Sequence, residues 1–211
     1  MTPRIKVCGI TRVEDASEAV RLGATALGFV FWPKSPRAVS VQAAREIARA
    51  VPPFVARIGV FVDASVEDVT RIAGDLGLDG VQLHGDERVD RYDGVKARLI
   101  KAVFLESGDD VERAATLPAY VTPLVDATDR VRRGGTGQVA DWRQAAALAA
   151  RRPMILAGGL TPENVASAIN CVRPWALDVS SGVESAPGIK SHERLAAFFA
   201  AVAKARGVEP S

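Results

Sequence analysis

The chain has 211 residues, 48% of them hydrophobic, enough to bury one sizeable core; a single domain over 1–211 is expected, with 206–211 a frayed tail. A formal net charge of +2, with acids and bases interleaved, leaves no footprint for nucleic acid. No apolar run nears the roughly 20 residues that cross a bilayer, and the start "MTPRIKVCG" has no long apolar export core, so a cytoplasmic protein with no membrane partner is expected. Two cysteines make neither a disulfide scaffold nor a cysteine-rich metal site, and two histidines without ligand spacing suggest no metal.

The first predicted strand, "IKVCG", ends on Cys8 against a glycine, and Thr11 with Glu14 reads as a capping box for a helix stopped by Gly23. Strands "ALGFVF" (26–31) and "ARIGVFV" (56–62) follow, and Ser65 then precedes Val66, Val69, Ile72 and Leu76, one apolar helical face. After "GVQLHG" (80–85) comes a short segment with "RYDG", the weakest helical pattern of the chain. "RLIKAVF" (98–104), "VTPLVDA" (121–127) and "MILAGG" (154–159) are the next strands, the last leading to Thr161-Pro162, a cap with proline at the first helical position. "WALDVSS" (175–181) is the eighth, and Ser191 opens a final helix carrying Leu195, Phe198, Phe199 and Val202.

Eight strands, each followed by a helical or loop segment, indicate an α/β protein with parallel strands. Eight repeats in this length favour a (β/α)8 TIM barrel over a doubly wound sheet. Side chains alternate faces along a strand. Lys6 and Cys8, Gln82 and His84, Leu124 and Asp126, and Asp178 and Ser180 share a face in each strand, while Val7, Val81, Leu83, Val125, Leu177 and Val179 between them are apolar. The apolar set suits the face beneath the helices, which points the polar set into the barrel, late in each strand, where barrel enzymes place their chemistry.

The seventh and eighth strand ends read "AGGLTPENV" and "DVSSGVE". Gly158 and Gly159 permit close backbone approach, and Gly182 follows two hydroxyls, Ser180 and Ser181, so two consecutive strand ends offer a phosphate cradle where either alone would read as a turn. Asp126 ends an apolar run and would be costly to bury unpaired, which makes it an acid–base candidate. Free cysteine is usually core, but at a rim the Cys8 thiol can act as base or nucleophile. Arg37 in "WPKSPRAV" is either a surface cation or a planar clamp for a carboxylate. His84 reads equally as a satisfied rim histidine or a substrate contact. The cluster Arg130, Arg132 and Arg133 reads as a solvated glycine-rich loop or a functional one, and Cys171, near a helix end, receives no role.

"KVCGIT", "GFVFWPKSPR", "VQLHG", "VDATDRVRRGGTG…ADW", "LAGGLTPENV" and "LDVSSGVE", in order along essentially the whole chain, resemble the phosphoribosylanthranilate isomerase family of tryptophan biosynthesis. Ala140 departs from the aromatic that the family's "FDW" would place there, a matter of local packing. The resemblance implies a cofactor-free Amadori rearrangement of N-(5-phosphoribosyl)anthranilate on a barrel. It implies Asp126 as the general acid that opens the furanose ring and Cys8 as the base that removes the C2′ proton. Arg37 would hold the anthranilate carboxylate, Asp178 the ribose hydroxyls, and Gly158, Gly159, Ser180 and Ser181 the phosphate. The partner expected is a phosphorylated small molecule, for a monomer or homodimer. The alternatives are another sugar-phosphate barrel isomerase or epimerase, or a non-catalytic phosphosugar-binding relative; the presence of both an acid and a base argues against the last.

Overall fold

The computed structural model describes residues 3–126 and 142–205. Arg130, Arg132, Arg133, Ala140 and the expected tail 206–211 lie outside the described residues. Eight parallel strands close into a barrel: β1 (Arg4–Cys8), β2 (Ala26–Val30), β3 (Ala56–Phe61), β4 (Gly80–Leu83), β5 (Arg98–Val103), β6 (Val121–Asp126), β7 (Ile155–Ala157) and β8 (Ala176–Val179). The ring shuts by pairing β1 with β8, Lys6 opposite Asp178. Each strand lies where an apolar run is written, because a strand covered on both faces has little room for polar residues.

The alternation holds in space. Val7, Val81, Leu83, Val125, Leu177 and Val179 are all at most 3% exposed and belong to the core between strands and helices. The barrel interior is a second cluster, in which Ile58, Ile100, Leu124 and Ile155 are set among Ala102, Ala157 and Ala176; the small side chains make room for the branched ones. Above this plug the inward positions turn polar.

The helices are α1 (Val13–Arg21), α2 (Val41–Ala50), α3 (Val66–Leu76), α4 (Gly108–Ala115), α5 (Trp142–Ala149), α6 (Val165–Val172) and α7 (His192–Lys204). Ser65 and Ser191 cap α3 and α7 as expected, their hydroxyls accepting from the backbone of Asp68 and Arg194. The Thr11–Glu14 capping box does not form. Arg12 is the N-cap of α1 without a side-chain bond, and the Thr11 hydroxyl donates to the carbonyl of Gly188, a tie across the barrel closure that outcompetes the local cap. Thr161 accepts from the Glu163 N–H, but α6 becomes regular only at Val165, after the turn that Pro162 begins. The "RYDG" segment is a single 3-10 turn, Val89–Tyr92, too short for an α-helix; Tyr92 is 4% exposed and its hydroxyl donates to the Ala64 carbonyl.

A hairpin not anticipated in the sequence, β9 (Glu184–Ala186) and β10 (Ile189–Lys190), follows β8 and precedes α7. Asp15, fully buried in α1, holds it in place by accepting from the Lys190 N–H at 3.0 Å and facing His192 Nε2 at 3.0 Å.

Candidate active site

One cavity opens at the C-terminal ends of the strands, and every singled-out site residue lines it: Cys8, Arg37, His84, Asp126, Gly158, Gly159, Asp178, Ser180, Ser181 and Gly182. Cys171, by contrast, is exposed on α6, away from it.

On the β7–β8 side the backbone forms the cradle. Gly158 and Gly159 have φ of 83° and 64°, a left-handed pair that side chains would strain. The eighth loop packs on the seventh through Gly182, where a Cβ would lie 1.9 Å from the Leu160 carbonyl oxygen. The Ser180 hydroxyl donates to the Cys8 carbonyl at 3.1 Å, so that loop is left with Ser181 and its backbone N–H groups to meet an anion. Gly182→Ala is therefore expected to push the two loops apart and to raise the Kd for inorganic phosphate at least ~10-fold, the loss of one charge-assisted bond. Titration of both proteins with phosphate checks this, and equal affinities would detach the cradle from anion binding.

The thiol and carboxylate come from β1 and β6, with β7 and β8 between them. Cys8 is 8% exposed, and burial pushes its pKa above the ordinary thiol value, with Lys6 and Lys190 pulling it back and Asp178 adding to the rise. Asp126 is half-buried; its Oδ2 lies 3.3 Å from His84 Nε2. The Gln82 amide nitrogen is 2.9 Å from His84 Nδ1. With that amide donating to Nδ1, the imidazole proton sits on Nε2 and points at Asp126. His84 thus joins the two sequence alternatives: it is partnered, and it faces the cavity.

Arg37 reaches over Gly9 on the Cys8 side of the cavity mouth and is not a free cation. Its Nε and Nη2 donate to the two oxygens of Glu184 at 2.9 and 2.7 Å. Glu184 Oε1 also accepts from Lys190 Nζ at 2.8 Å. Burial works against the Glu184 carboxylate, yet the cations on either side hold its pKa below the usual range; desolvation lowers that of Lys190. The fork to Glu184 occupies one edge of the guanidinium, and no described residue uses the Nη1 edge, which can take a second carboxylate. Val30, Trp32 and Val60 pack with Cys8 as an apolar wall of this part of the cavity, and Phe104, edge-on to His84, adds an apolar face beside the histidine.

Glu184, Lys190, Trp32 and Phe104 were not singled out in the sequence. Glu184 stood inside a quoted motif with no role, and Trp32 and Phe104 were readable as aromatics just past strand ends. Lys190 carried no signal: a two-residue strand has no period.

A parallel barrel with a glycine cradle at its seventh and eighth strand ends, and with a thiol facing a carboxylate across the rim, defines the class of sugar-phosphate barrel enzymes. Within that class the chain belongs to the N-(5'phosphoribosyl)anthranilate (PRA) isomerase family, whose pattern it matches over residues 5–201. It is 48% identical over 204 residues to the N-(5'-phosphoribosyl)anthranilate isomerase of Pseudomonas aeruginosa (strain UCBPP-PA14), covering 96% of each chain. The crystal structure of phosphoribosyl anthranilate isomerase from Thermotoga maritima superposes with a TM-score of 0.90 at 42% identity, covering 96% of this chain and 99% of that one. A second solved phosphoribosyl anthranilate isomerase, in complex with reduced 1-(o-carboxyphenylamino)-1-deoxyribulose 5-phosphate, superposes with a TM-score of 0.85 at 41% identity, over the same shares of the two chains. The expected TIM barrel and isomerase family both hold. No helix among the described residues is long and apolar enough to cross a membrane.

Proposed function

We propose that the chain converts N-(5-phosphoribosyl)anthranilate to 1-(2-carboxyphenylamino)-1-deoxyribulose 5-phosphate, an aldose–ketose isomerisation (an intramolecular oxidation and reduction) that needs no cofactor, in the cytoplasm. The observation that carries the residue roles is that Cys8 and Asp126 line one cavity, with the β7–β8 glycine cradle between their strands and Arg37 after β2, beyond Cys8. The cradle takes the phosphate, and the apolar wall with the open edge of Arg37 takes the aromatic ring and its carboxylate. The ribose then lies between thiol and carboxyl.

Asp126 protonates the ring oxygen as the C1′–O bond breaks, giving a Schiff base. Cys8 removes the C2′ proton, and the electron pair moves to form the enolamine, which tautomerises to the ketone. Asp178 takes the ribose hydroxyls on the cavity side of its pairing with Lys6. Purified protein mixed with freshly made phosphoribosylanthranilate is expected to quench that substrate's fluorescence with turnover. Fluorescence that decays only at the rate of the protein-free solution would overturn the proposal.

Arg37→Lys keeps one charge but loses the fork, so a single ammonium must choose between Glu184 and the substrate. KM is expected to rise roughly 10–100-fold, the worth of a charge-assisted hydrogen bond, with kcat changed far less. An unchanged KM would assign Arg37 to the scaffold alone.

A further inference from the structure

Lys6 is a buried lysine that the proposed mechanism does not use. It is 4% exposed, two residues before Cys8 on the inward face of β1, and its Nζ donates to both oxygens of Asp178 at 2.9 Å. Lysine is almost never this buried without a partner, and a buried ion pair gives little stability that two apolar side chains would not match. Its position gives a better reason. Cys8 faces Gly28 across the β1–β2 pairing, and a Cβ built on Gly28 would lie 2.8 Å from Cys8 Sγ and 3.0 Å from Lys6 Cε. The thiol and the end of the lysine stem converge on the one gap that β2 leaves.

Among the described residues the charged groups around that gap are few. Lys6 comes from β1, Asp178 from β8, Arg37 from the loop after β2, and Glu184 and Lys190 from the hairpin; His84 and Asp126 stand across the cavity. On the Cys8 side these are three cations and two carboxylates, an excess of one positive charge.

We propose that Lys6 is a positioning residue for Cys8: its ammonium, anchored on both oxygens of Asp178, supplies the counter-charge that lets the thiol ionise inside the barrel. In catalytic terms this rests on Cys8 being the base, though the effect on the thiol does not. Burial is the largest influence on Cys8 and opposes ionisation, and Lys6 is the largest one in its favour. Asp178 then has two tasks, holding the ammonium in place and tempering its charge.

The test is read on the thiol. In a Cys171→Ser background, which removes the exposed cysteine, the rate of Cys8 alkylation by iodoacetamide is followed against pH in the parent, in Asp178→Asn and in Lys6→Met/Asp178→Asn. The double variant leaves no buried charge of the pair alone. Asp178→Asn is expected to titrate about one unit below the parent, and the double variant about one unit above it. The rising limb of kcat/KM with pH should move in the same directions. A double variant that titrates with Asp178→Asn would overturn the proposal. If the double variant does not fold, the single one decides: a midpoint at or above the parent's overturns it, and one below supports it. Failure of the underlying mechanism is a separate result, a Cys8→Ala enzyme with normal turnover, and it leaves the alkylation comparison intact.

Discussion

Cys8→Ala is expected to lower kcat by about 10²–10⁴-fold, ~3–5.5 kcal/mol of barrier, while the affinity for product stays within about threefold. The substitution removes only a sulfur at the floor of the cavity. The cradle and the Arg37–Glu184 fork contain no atom of the Cys8 side chain, and the apolar wall of Val30, Val60 and Trp32 that packs against it loses only the sulfur, so binding changes little. The same thiol sets the pH dependence. A base must be ionised to act, and the Cys8 pKa is raised above the ordinary thiol value by burial. The ionised fraction at neutral pH is therefore small and grows as pH rises. Wild-type kcat/KM should climb between about pH 7 and 9, by up to tenfold per unit. A flat profile across that range, or a Cys8→Ala enzyme retaining more than about a tenth of wild-type kcat, would remove Cys8 as the base.

Asp126→Asn should fall by a similar ~10²–10⁴-fold in kcat for a different reason. Asparagine has nearly the same shape, and its amide oxygen can still accept from the Nε2 of His84, 3.3 Å from the Asp126 carboxylate. What it cannot do is hand a proton to the ring oxygen as the C1′–O bond opens. Since the lost step is ring opening, a pre-opened analogue resembling the Schiff base or the product should bind the variant as it binds wild type. Measuring kcat together with the inhibition constant of the reduced product separates the two effects. A variant with weak inhibition and a preserved kcat would make Asp126 a binding group.

The positions of these groups were legible because a strand covered on both faces tolerates so few polar residues. Cys8, Gln82, His84, Asp126 and Asp178 stand out against runs of valine, leucine and isoleucine, and the period of two says which way they point. The glycine pairs were legible for a related reason, since their backbone torsions and close approaches admit little else. What escaped was whatever depended on distant partners. The Thr11–Glu14 cap is locally plausible, but the Gly188 carbonyl lies nearer to what the Thr11 hydroxyl can reach, and it comes from the other end of the chain. Glu184 and Lys190 sit in a hairpin too short to show a period, and only their meeting with Arg37 shows that the three act together. The segment carrying Arg130, Arg132 and Arg133 lies outside the described residues, so its two alternatives stand as they did.

The pairing of β1 with β8 also bears on when the protein becomes an enzyme. Lys6 and Asp178 are 172 residues apart, as are Cys8 and Ser180, and the Thr11–Gly188 and Asp15–Lys190 ties span 177 and 175. Closing a loop of that length costs about 4–5 kcal/mol of chain entropy, which no contact among the early strands can offset. The thiol is among the first side chains made, yet its neighbours from β8 and the hairpin arrive with about the last sixth of the chain. A ribosome-bound chain that has completed six strands can be rich in structure, with Lys6 already made, and still lack the Asp178 anchor for that ammonium, the cradle and the guanidinium fork around that sulfur. Catalytic competence is thus a report on the final seam rather than on the strands before it. Under mild denaturant, turnover should vanish while most of the helical signal persists.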